Sequence, residues 1–167
     1  ERLSATARQT QSLAELERSA HDRVCIAQVD VTKPEEIQKA VELGLSAFGQ
    51  IDVLVNNAGY GLLGAFEESS DEQIRQQFET NVFGVFNVTR AVLPVMRKQG
   101  HGHILNMSSV AGQTAAPGLG IYDASKFAVE GFSESLAQEV APLGIRVTLI
   151  EPGAFRTNWA GSSMEHA

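Results

Sequence analysis

Several residue types are scarce in this sequence, and each shortage excludes a class of protein. Cys25 is the single cysteine among 167 residues, so no disulfide can form within the chain. This suits a reducing compartment, and we expect a cytoplasmic protein rather than a disulfide-stabilised secreted domain. Lysine and arginine form no cluster, and the formal net charge is -7. Because nucleic-acid binding needs a basic patch, no nucleic-acid partner is expected.

Long apolar runs and metal-ligand clusters are also missing. The apolar run 82–88 is interrupted and falls far short of the roughly 18 residues that a membrane-spanning helix needs. No membrane segment is therefore predicted. His101 and His103 flank Gly102 with no third ligand near them in the sequence. They are interpreted as turn residues, and no metal site is predicted.

The residues that are present suit one α/β domain. Hydrophobic residues make up 43% of the chain, which is enough to bury a core at this length. Short continuous apolar runs alternate with segments in which apolar residues recur at helical spacing. Gly49 ends one helical segment, and Ser69 and Ser70 with Asp71 have the pattern of a helix cap before the next. The predicted strands are 24–29, 51–55, 103–107 and 145–150, and the predicted helices are 34–48, 71–96 and 122–140.

The alternation of such strands with helices predicts a parallel sheet that is covered on both faces. Ligands of these sheets bind beyond the carboxyl ends of the strands. Polar or glycine-containing segments follow each predicted strand, so we expect them to converge on one crevice. These segments are Asp30, 56–59, Ser109 and 152–153.

Tyr122 and Lys126 are the residues from which chemistry can be inferred most directly. They are four positions apart on a predicted helix and therefore lie on one face, about one turn apart. A free tyrosine has a pKa of about 10 and is a poor acid or base at neutral pH. A fixed ammonium nearby favours the phenolate. We therefore expect Lys126 to lower the pKa of Tyr122 and to make it a proton-transfer catalyst.

Five sequence features occur in a characteristic order: Asn-Asn-Ala-Gly at 56–59, Asn81, Ser109, the pair Tyr122 and Lys126, and Pro-Gly at 152–153 followed by Thr157. Together they resemble the short-chain dehydrogenase/reductase family in its compact single-domain form. A Tyr-x-x-x-Lys pair alone is common by chance, whereas all five in the family's order and spacing are specific. The resemblance covers about 24–157. It implies a Rossmann-type doubly wound parallel sheet in a three-layer α/β/α fold.

The resemblance also implies roles for four catalytic residues. Tyr122 would be the general acid/base for a carbonyl or alcohol oxygen, and Lys126 would also hold the nicotinamide ribose. Ser109, thirteen residues before Tyr122, would hydrogen-bond the same oxygen as charge develops on it. Asn81 would distort the long helix locally and anchor a water that connects Lys126 to solvent. The implied activity is that of an NAD(P)-dependent oxidoreductase that interconverts a carbonyl and a secondary alcohol by hydride transfer.

Cofactor contacts carry over from the same resemblance. Arg8 sits where NADP-preferring members often have a basic residue for the 2′-phosphate, and no acidic residue ends the remnant strand before it. NADP is therefore favoured, with NAD as the alternative. The other matching positions are Asp30 and Val31 at the adenine, Asn57, Ala58 and Gly59 along the adenosine, Pro152, Gly153 and Thr157 at the nicotinamide, and Tyr122 and Lys126 themselves.

The family's phosphate-binding turn, Thr-Gly-x-x-x-Gly-x-Gly, does not occur in these residues. Its glycines let the backbone approach the pyrophosphate at a helix N-terminus, so dinucleotide affinity should collapse without it. We therefore expect one incomplete domain, 1–167, that lacks the family's first strand and helix and belongs to a protein of roughly 250 residues. The remnant strand 3–7 and the strand 24–29 should then lack their link to 51–55.

One segment imitates the missing turn. Residues 59–64 read Gly-Tyr-Gly-Leu-Leu-Gly, which matches Gly-x-Gly-x-x-Gly after a strand. A dinucleotide fingerprint of this kind must open a helix, but here the helix cap lies later, near Ser70. The segment is therefore rejected as a dinucleotide site.

Two functions of different kinds remain open. The first is the oxidoreductase, which we expect to be active in the parent protein and inactive in this polypeptide alone. The second is a non-catalytic module that has lost its cofactor site and whose long helices mediate oligomerisation, since family members commonly form homodimers or homotetramers. The expected partner of the enzyme is a small carbonyl or alcohol substrate. Small apolar residues in 110–121 permit a hydrophobic one.

Overall fold

A computed structural model describes residues 2–153, 155 and 164–167 of the chain. Strands and helices alternate along it as predicted, which confirms the α/β class. The strands are β1 (Leu3–Ala7), β2 (Val24–Gln28), β3 (Val53–Asn56), β4 (Gly61–Leu63), β5 (Gly102–Met107), β6 (Ile145–Ile150) and β7 (Met164–His166), and the α-helices are α1 (Ala14–Ala20), α2 (Pro34–Phe48), α3 (Asp71–Phe78), α4 (Gly84–Gln99) and α5 (Gly120–Val140).

Local sequence signals account for where the helices begin and end. Pro34 occupies the first turn of α2, where its missing N–H costs no hydrogen bond. Gly49 ends that helix with a φ of 82°, a left-handed conformation that favours glycine. Ser70 caps α3 by accepting from the Gln73 N–H, and the Gln73 side chain accepts from the Ser70 N–H in return. The predictions for Gly49 and for the cap near Ser70 are confirmed.

Asn81 lies in a π-helical turn, Glu79–Phe83, that joins α3 to α4 in one continuous helical segment. The Gly84 N–H that closes this turn donates to the Glu79 carbonyl, five residues earlier. Such single turns insert one extra residue into a helix and are often found at functional sites. The prediction that Asn81 lies inside a long helix and distorts it locally is therefore confirmed.

The strands form separate parallel sheets in the described residues. In one sheet β5 lies between β3 and β6, and β1 pairs with β2 in another. Within the residues that the structure describes, no strand connects β1 and β2 to β3, as the sequence predicted. Val53 and Val55 on β3 are each 52% exposed, so one face of this strand lacks an apolar cover.

The buried core lies on the other face of the three-stranded sheet, beneath α2, α4 and α5. Leu54 of β3 packs against it, whereas its neighbours Val53 and Val55 are exposed, because successive side chains of a strand point to opposite faces. Phe86 of α4 also contacts Phe132 of α5, with ring centroids 4.5 Å apart. The buried cluster comprises Val41, Val92, Met96, Ile104, Leu136, Val140 and Ile145.

A chain of buried polar side chains fixes the carboxyl ends of β3 and β5. The Asn56 amide donates to Asn106 Oδ1 at 2.8 Å and to Thr89 Oγ1 at 3.0 Å. The Asn106 amide donates to Ser133 Oγ at 2.8 Å. These contacts link β3 to α4 and β5 to α5, because buried polar groups are costly unless they are paired. They set the register of the strand ends from which the candidate site is built.

The glycine-containing segment 59–64 does not open a helix. Its residues Gly61 to Leu63 form β4, which pairs in parallel with β7, and α3 begins only after Ser70. The rejection of this segment as a dinucleotide fingerprint is confirmed.

Candidate active site

The four predicted catalytic residues lie together at the carboxyl edge of the three-stranded sheet. Ser109 follows β5 and caps the short turn after it, with its Oγ accepting from the Ala111 N–H at 3.1 Å. Tyr122 and Lys126 lie one turn apart on α5. Asn81 reaches the same helix from the π-turn. The fold therefore brings together side chains that lie up to 45 positions apart in the sequence.

Tyr122 is 4% exposed, and its side chain hydrogen-bonds that of Ser109. Burial raises the pKa of Tyr122 above that of a free tyrosine. The Ser109 contact opposes this rise, and the neighbouring Asp123 carboxylate adds to it. The expectation that Lys126 would lower this pKa is wrong in this structure, because the cost of desolvating the phenolate dominates. The phenol therefore keeps its proton at neutral pH.

Lys126 is 7% exposed and lies at the inner wall of the site. Its Nζ donates to the Met107 carbonyl at 2.8 Å and lies 5.6 Å from the centroid of the Tyr122 ring. Burial lowers the pKa of Lys126 to about 8, although the Glu130 carboxylate raises it. The ammonium is thus fixed beside the tyrosine, but it loses its proton more readily than an exposed lysine does.

The Asn81 side chain joins two parts of the site. Its amide donates to the Tyr60 carbonyl at 2.9 Å and to Ser125 Oγ at 3.1 Å, and its Oδ1 accepts from the Tyr60 N–H at 3.1 Å. These bonds fasten the turn after β3 to α5. A water held by Asn81 stays a prediction.

The turn after β3 packs closely on Asn81 beside the ammonium. A Cβ on Gly59 would lie 3.2 Å from Asn81 Oδ1 and 3.9 Å from Lys126 Nζ. Asn57, Ala58 and Gly59 are all exposed at this end of the sheet. Glycine at position 59 therefore lets the turn lie against Asn81 next to the Lys126 ammonium without a steric conflict.

Three residues predicted to contact a cofactor lie at the ends of β1 and β2. Arg8 is exposed just beyond β1. Burial pushes the pKa of Asp30 upward, but bonds from Thr32 and the charges of Lys33 and Arg8 outweigh it and leave this pKa below its usual value. Arg8 and Asp30 are therefore electrostatic neighbours. Val31 packs on the helix at Gly84. A Cβ added to Gly84 would lie only 2.6 Å from Val31 Cγ2.

Residues predicted at the nicotinamide end follow β6. The Pro152 carbonyl accepts from the Val110 N–H at 3.1 Å, which places it against the turn that carries Ser109. Gly153 is exposed next to it. Thr157 lies outside the described residues.

Sequence reasoning overlooked two carboxylates at the site. Asp123 is buried, and its Oδ2 accepts from the Ala116 N–H at 2.9 Å, which anchors the loop 113–119 to α5. Glu130 is buried one turn beyond Lys126. The signal was present in the spacing, since Tyr122, Lys126 and Glu130 recur every four residues and must share a helix face.

Metal and membrane interpretations find no support in the described part of the chain. There, no group of three or more His, Cys, Asp or Glu side chains could hold a metal ion. His103 instead contacts Thr148 Oγ1 at 2.8 Å, and His101 lies 3.7 Å from an Asp52 oxygen. None of the helices described is both long and apolar enough to cross a bilayer.

Comparison with known proteins identifies the family. A sequence profile of the family described as short chain dehydrogenase matches residues 2–167. The chain belongs to the short-chain dehydrogenase/reductase family. Oxidoreductase BOA17 of Botryotinia fuckeliana is a member of similar sequence, 46% identical over 162 residues. That alignment covers 96% of this chain and 59% of the relative. The chain thus spans little more than half the length of this curated relative.

Solved structures of the family share the fold, which confirms the predicted Rossmann type. A short-chain dehydrogenase from Streptomyces avermitilis has a TM-score of 0.93 and 44% identity, over 99% of this chain and 61% of that one. A family member from Burkholderia phymatum in complex with NAD has a TM-score of 0.90 and 33% identity, over 95% and 59%. A gluconate 5-dehydrogenase from Burkholderia cenocepacia with NADP and tartrate has a TM-score of 0.88 and 30% identity, over 95% and 64%.

Proposed function

We propose that this site interconverts a carbonyl and a secondary alcohol by NAD(P)-dependent hydride transfer, with Tyr122 as general acid/base. One observation carries the proposal. The buried Tyr122 phenol bonds to Ser109 and lies beside the fixed Lys126 ammonium at the open edge of a parallel sheet. A proton donor, a hydrogen-bond partner and a cation are therefore arranged around one point.

Tyr122 supplies the proton during reduction. Because burial raises its pKa, the phenol is protonated at neutral pH and can donate to an oxygen that gains negative charge. Ser109 hydrogen-bonds the same oxygen and stabilises that charge. In the oxidative direction the phenolate accepts the proton of the alcohol, and the Ser109 bond lowers the free energy of this phenolate.

Lys126 orients the cofactor and supplies positive charge. Its ammonium has three N–H groups, of which one donates to the Met107 carbonyl. The others can hold the ribose hydroxyls of a nicotinamide nucleotide, and the exposed turn at Gly59 borders the same ammonium. When bound, the nicotinamide supplies or accepts the hydride.

The adenine end of the cofactor would lie across β1 and β2, at Arg8, Asp30 and Val31. The exposed Arg8 guanidinium suits a 2′-phosphate, because arginine matches phosphate geometry with paired donors. We therefore propose NADP as the preferred cofactor. The Burkholderia cenocepacia relative holds NADP, whereas the Burkholderia phymatum relative holds NAD.

The test uses the chain completed at both ends with the corresponding segments of the Botryotinia fuckeliana relative, hereafter the completed chain. NADPH oxidation is followed by absorbance against a panel of aldehydes and ketones. Turnover is expected in the completed chain and not in residues 1–167 alone. Tyr122→Phe should lower kcat by roughly 10²–10⁴-fold while NADPH binding is retained. Tyr60→Phe is the matched control, since it removes the hydroxyl of the other tyrosine.

Two results would contradict the proposal. Unchanged turnover in Tyr122→Phe would remove the tyrosine from the chemistry. A completed chain that folds and binds NADPH but reduces no member of the panel would favour the non-catalytic module.

A further inference from the structure

Three buried polar residues form one row along α5. Tyr122, Lys126 and Glu130 are each separated by four positions and are 4%, 7% and 7% exposed. The first two have roles in the proposed reaction, and the third has none. Charged side chains are seldom buried unless they are paired, so the position of Glu130 requires an explanation.

The side chain of Glu130 extends from α5 towards the turn that follows Ser109. Its Oε1 is inaccessible to solvent and has no hydrogen-bond partner among the described residues, and the same is true of Ser108 Oγ. A Cβ on Gly112 would lie 2.7 Å from Ser108 Oγ and 2.9 Å from Glu130 Oε1. Gly112 therefore leaves the space that the Glu130 carboxyl occupies. The carboxyl is enclosed close to the turn that carries Ser109.

The other groups that face Lys126 are uncharged. Its Nζ donates to the Met107 carbonyl of β5. It also faces Gly59 in the turn after β3, and the Asn81 amide of the π-turn lies next to Gly59. On α5, the Asp123 carboxylate acts on Tyr122, and Glu130 acts on Lys126. Among the described residues, Glu130 is thus the charged side chain that raises the pKa of the buried ammonium.

We propose that Glu130 is a positioning residue that keeps Lys126 protonated while the site works. A buried carboxylate one turn along the helix compensates the ammonium for its lost hydration. If Lys126 lost its proton, it would no longer supply positive charge at the tyrosine, and it would have one N–H fewer for the ribose. The link to catalysis rests on the proposed function, whereas the effect on the protonation of Lys126 does not.

The protonation of Lys126 can be measured directly without a cofactor. The sequence contains four lysines, so lysine side-chain NMR of the labelled chain can be assigned by substitution. The Lys126 signal should titrate near pH 8 in the unsubstituted chain. In Glu130→Gln, which keeps the side-chain size and removes the charge, the midpoint should fall by roughly half a pH unit or more. An unchanged midpoint would overturn the proposal.

Two further variants make this measurement decisive. Glu134→Gln removes an exposed carboxylate one turn further along α5 and should leave the Lys126 midpoint unchanged. Glu130→Asp keeps the charge but withdraws it by one methylene, so the midpoint should fall by less than in Glu130→Gln. If Glu130→Gln does not fold, Glu130→Asp is compared with Glu134→Gln, and equal midpoints in those two would sink the proposal.

The catalytic consequence is read from pH profiles of the completed chain. Because the site needs the ammonium, kcat/KM should fall as pH rises through the pKa of Lys126. In Glu130→Gln this fall should move to lower pH by about the same shift as the NMR midpoint. A profile that is uniformly reduced but not shifted would indicate a purely structural role and refute the proposal. Failure of the proposed function would abolish these profiles but leave the NMR titration intact.

Discussion

Two of the three sheets in the described residues differ in how completely they are buried. In the β3, β5 and β6 sheet, Ile104 is 0% exposed and lies beneath α2, α4 and α5. In the β1 and β2 pair, by contrast, every residue is partly or fully exposed. The residues proposed for proton transfer lie at the carboxyl edge of the first sheet and on α5 beside it, and those proposed for the adenine end lie just beyond the strands of the second. The geometry needed for chemistry is thus held by the packed part of the molecule.

This comparison predicts unequal costs for one substitution made in each sheet. Ile104→Ala should lower the free energy of unfolding by about 4 kcal/mol, because it opens a cavity in the closed core. Ile26→Ala, in the half-buried β2, should cost about half as much or less, since solvent already reaches the site. Urea unfolding followed by circular dichroism measures both. Equal losses would mean that the two sheets are equally well packed.

Lys126, which lies beside the packed β3, β5 and β6 sheet, offers a second test through the pH dependence of stability. Its pKa is about 8 in the folded chain, against 10.5 for an exposed lysine. Between these values the unfolded state binds more protons, so stability rises with pH. The rise should reach about 3 kcal/mol and should disappear in Lys126→Met. The measurement is a series of urea unfolding curves from pH 7 to 10.5.

The matched control for this rise is an exposed lysine. Lys39→Met removes an exposed ammonium from α2 and should retain the rise. A chain whose stability is flat over this range, with Lys126 intact, would show that the ammonium is better solvated than its burial indicates.

The residues that the sequence predicted well are those whose role depends on local spacing. Tyr122 and Lys126, the capping residue Ser70 and the helix stop Gly49 each follow from a pattern of a few positions, and the structure places them as expected. The pKa of Tyr122 could not be predicted in this way. It depends on burial in the folded chain, which outweighs the opposing effect of the Ser109 hydrogen bond.

Contacts between distant segments were likewise invisible in the sequence. The bonds from Asn81 to Tyr60 and Ser125 join residues 21 and 44 positions away, and nothing in the local sequence specifies them. Glu130 is an intermediate case. Its spacing from Lys126 was readable, but its enclosure beside Ser108 and Gly112 depends on how the turn after β5 folds back on α5.

The smallest expected effect concerns Arg8, just beyond the exposed β1 and β2 pair. Arg8→Ala in the completed chain should raise the KM for NADPH by about tenfold, because one charge-assisted contact to the 2′-phosphate is lost. The KM for NADH should stay nearly constant, since NADH has no such phosphate. Since Arg8 is exposed beyond β1, its removal should leave the free energy of unfolding almost unchanged. Steady-state kinetics with both cofactors provide the measurement.

Arg18→Ala is the control for a general loss of positive charge. Arg18 lies on α1, between β1 and β2 in the sequence, and its Nε donates to the Ala14 carbonyl within the same helix. It should leave the KM for both cofactors unchanged. If Arg8→Ala raised both KM values equally, Arg8 would support the fold of β1 rather than select a cofactor. A higher KM for NADPH alone, with an unchanged free energy of unfolding, would instead confirm that a contact near the exposed sheet can be removed without weakening the core. Removal of the Ile104 side chain is expected to weaken it.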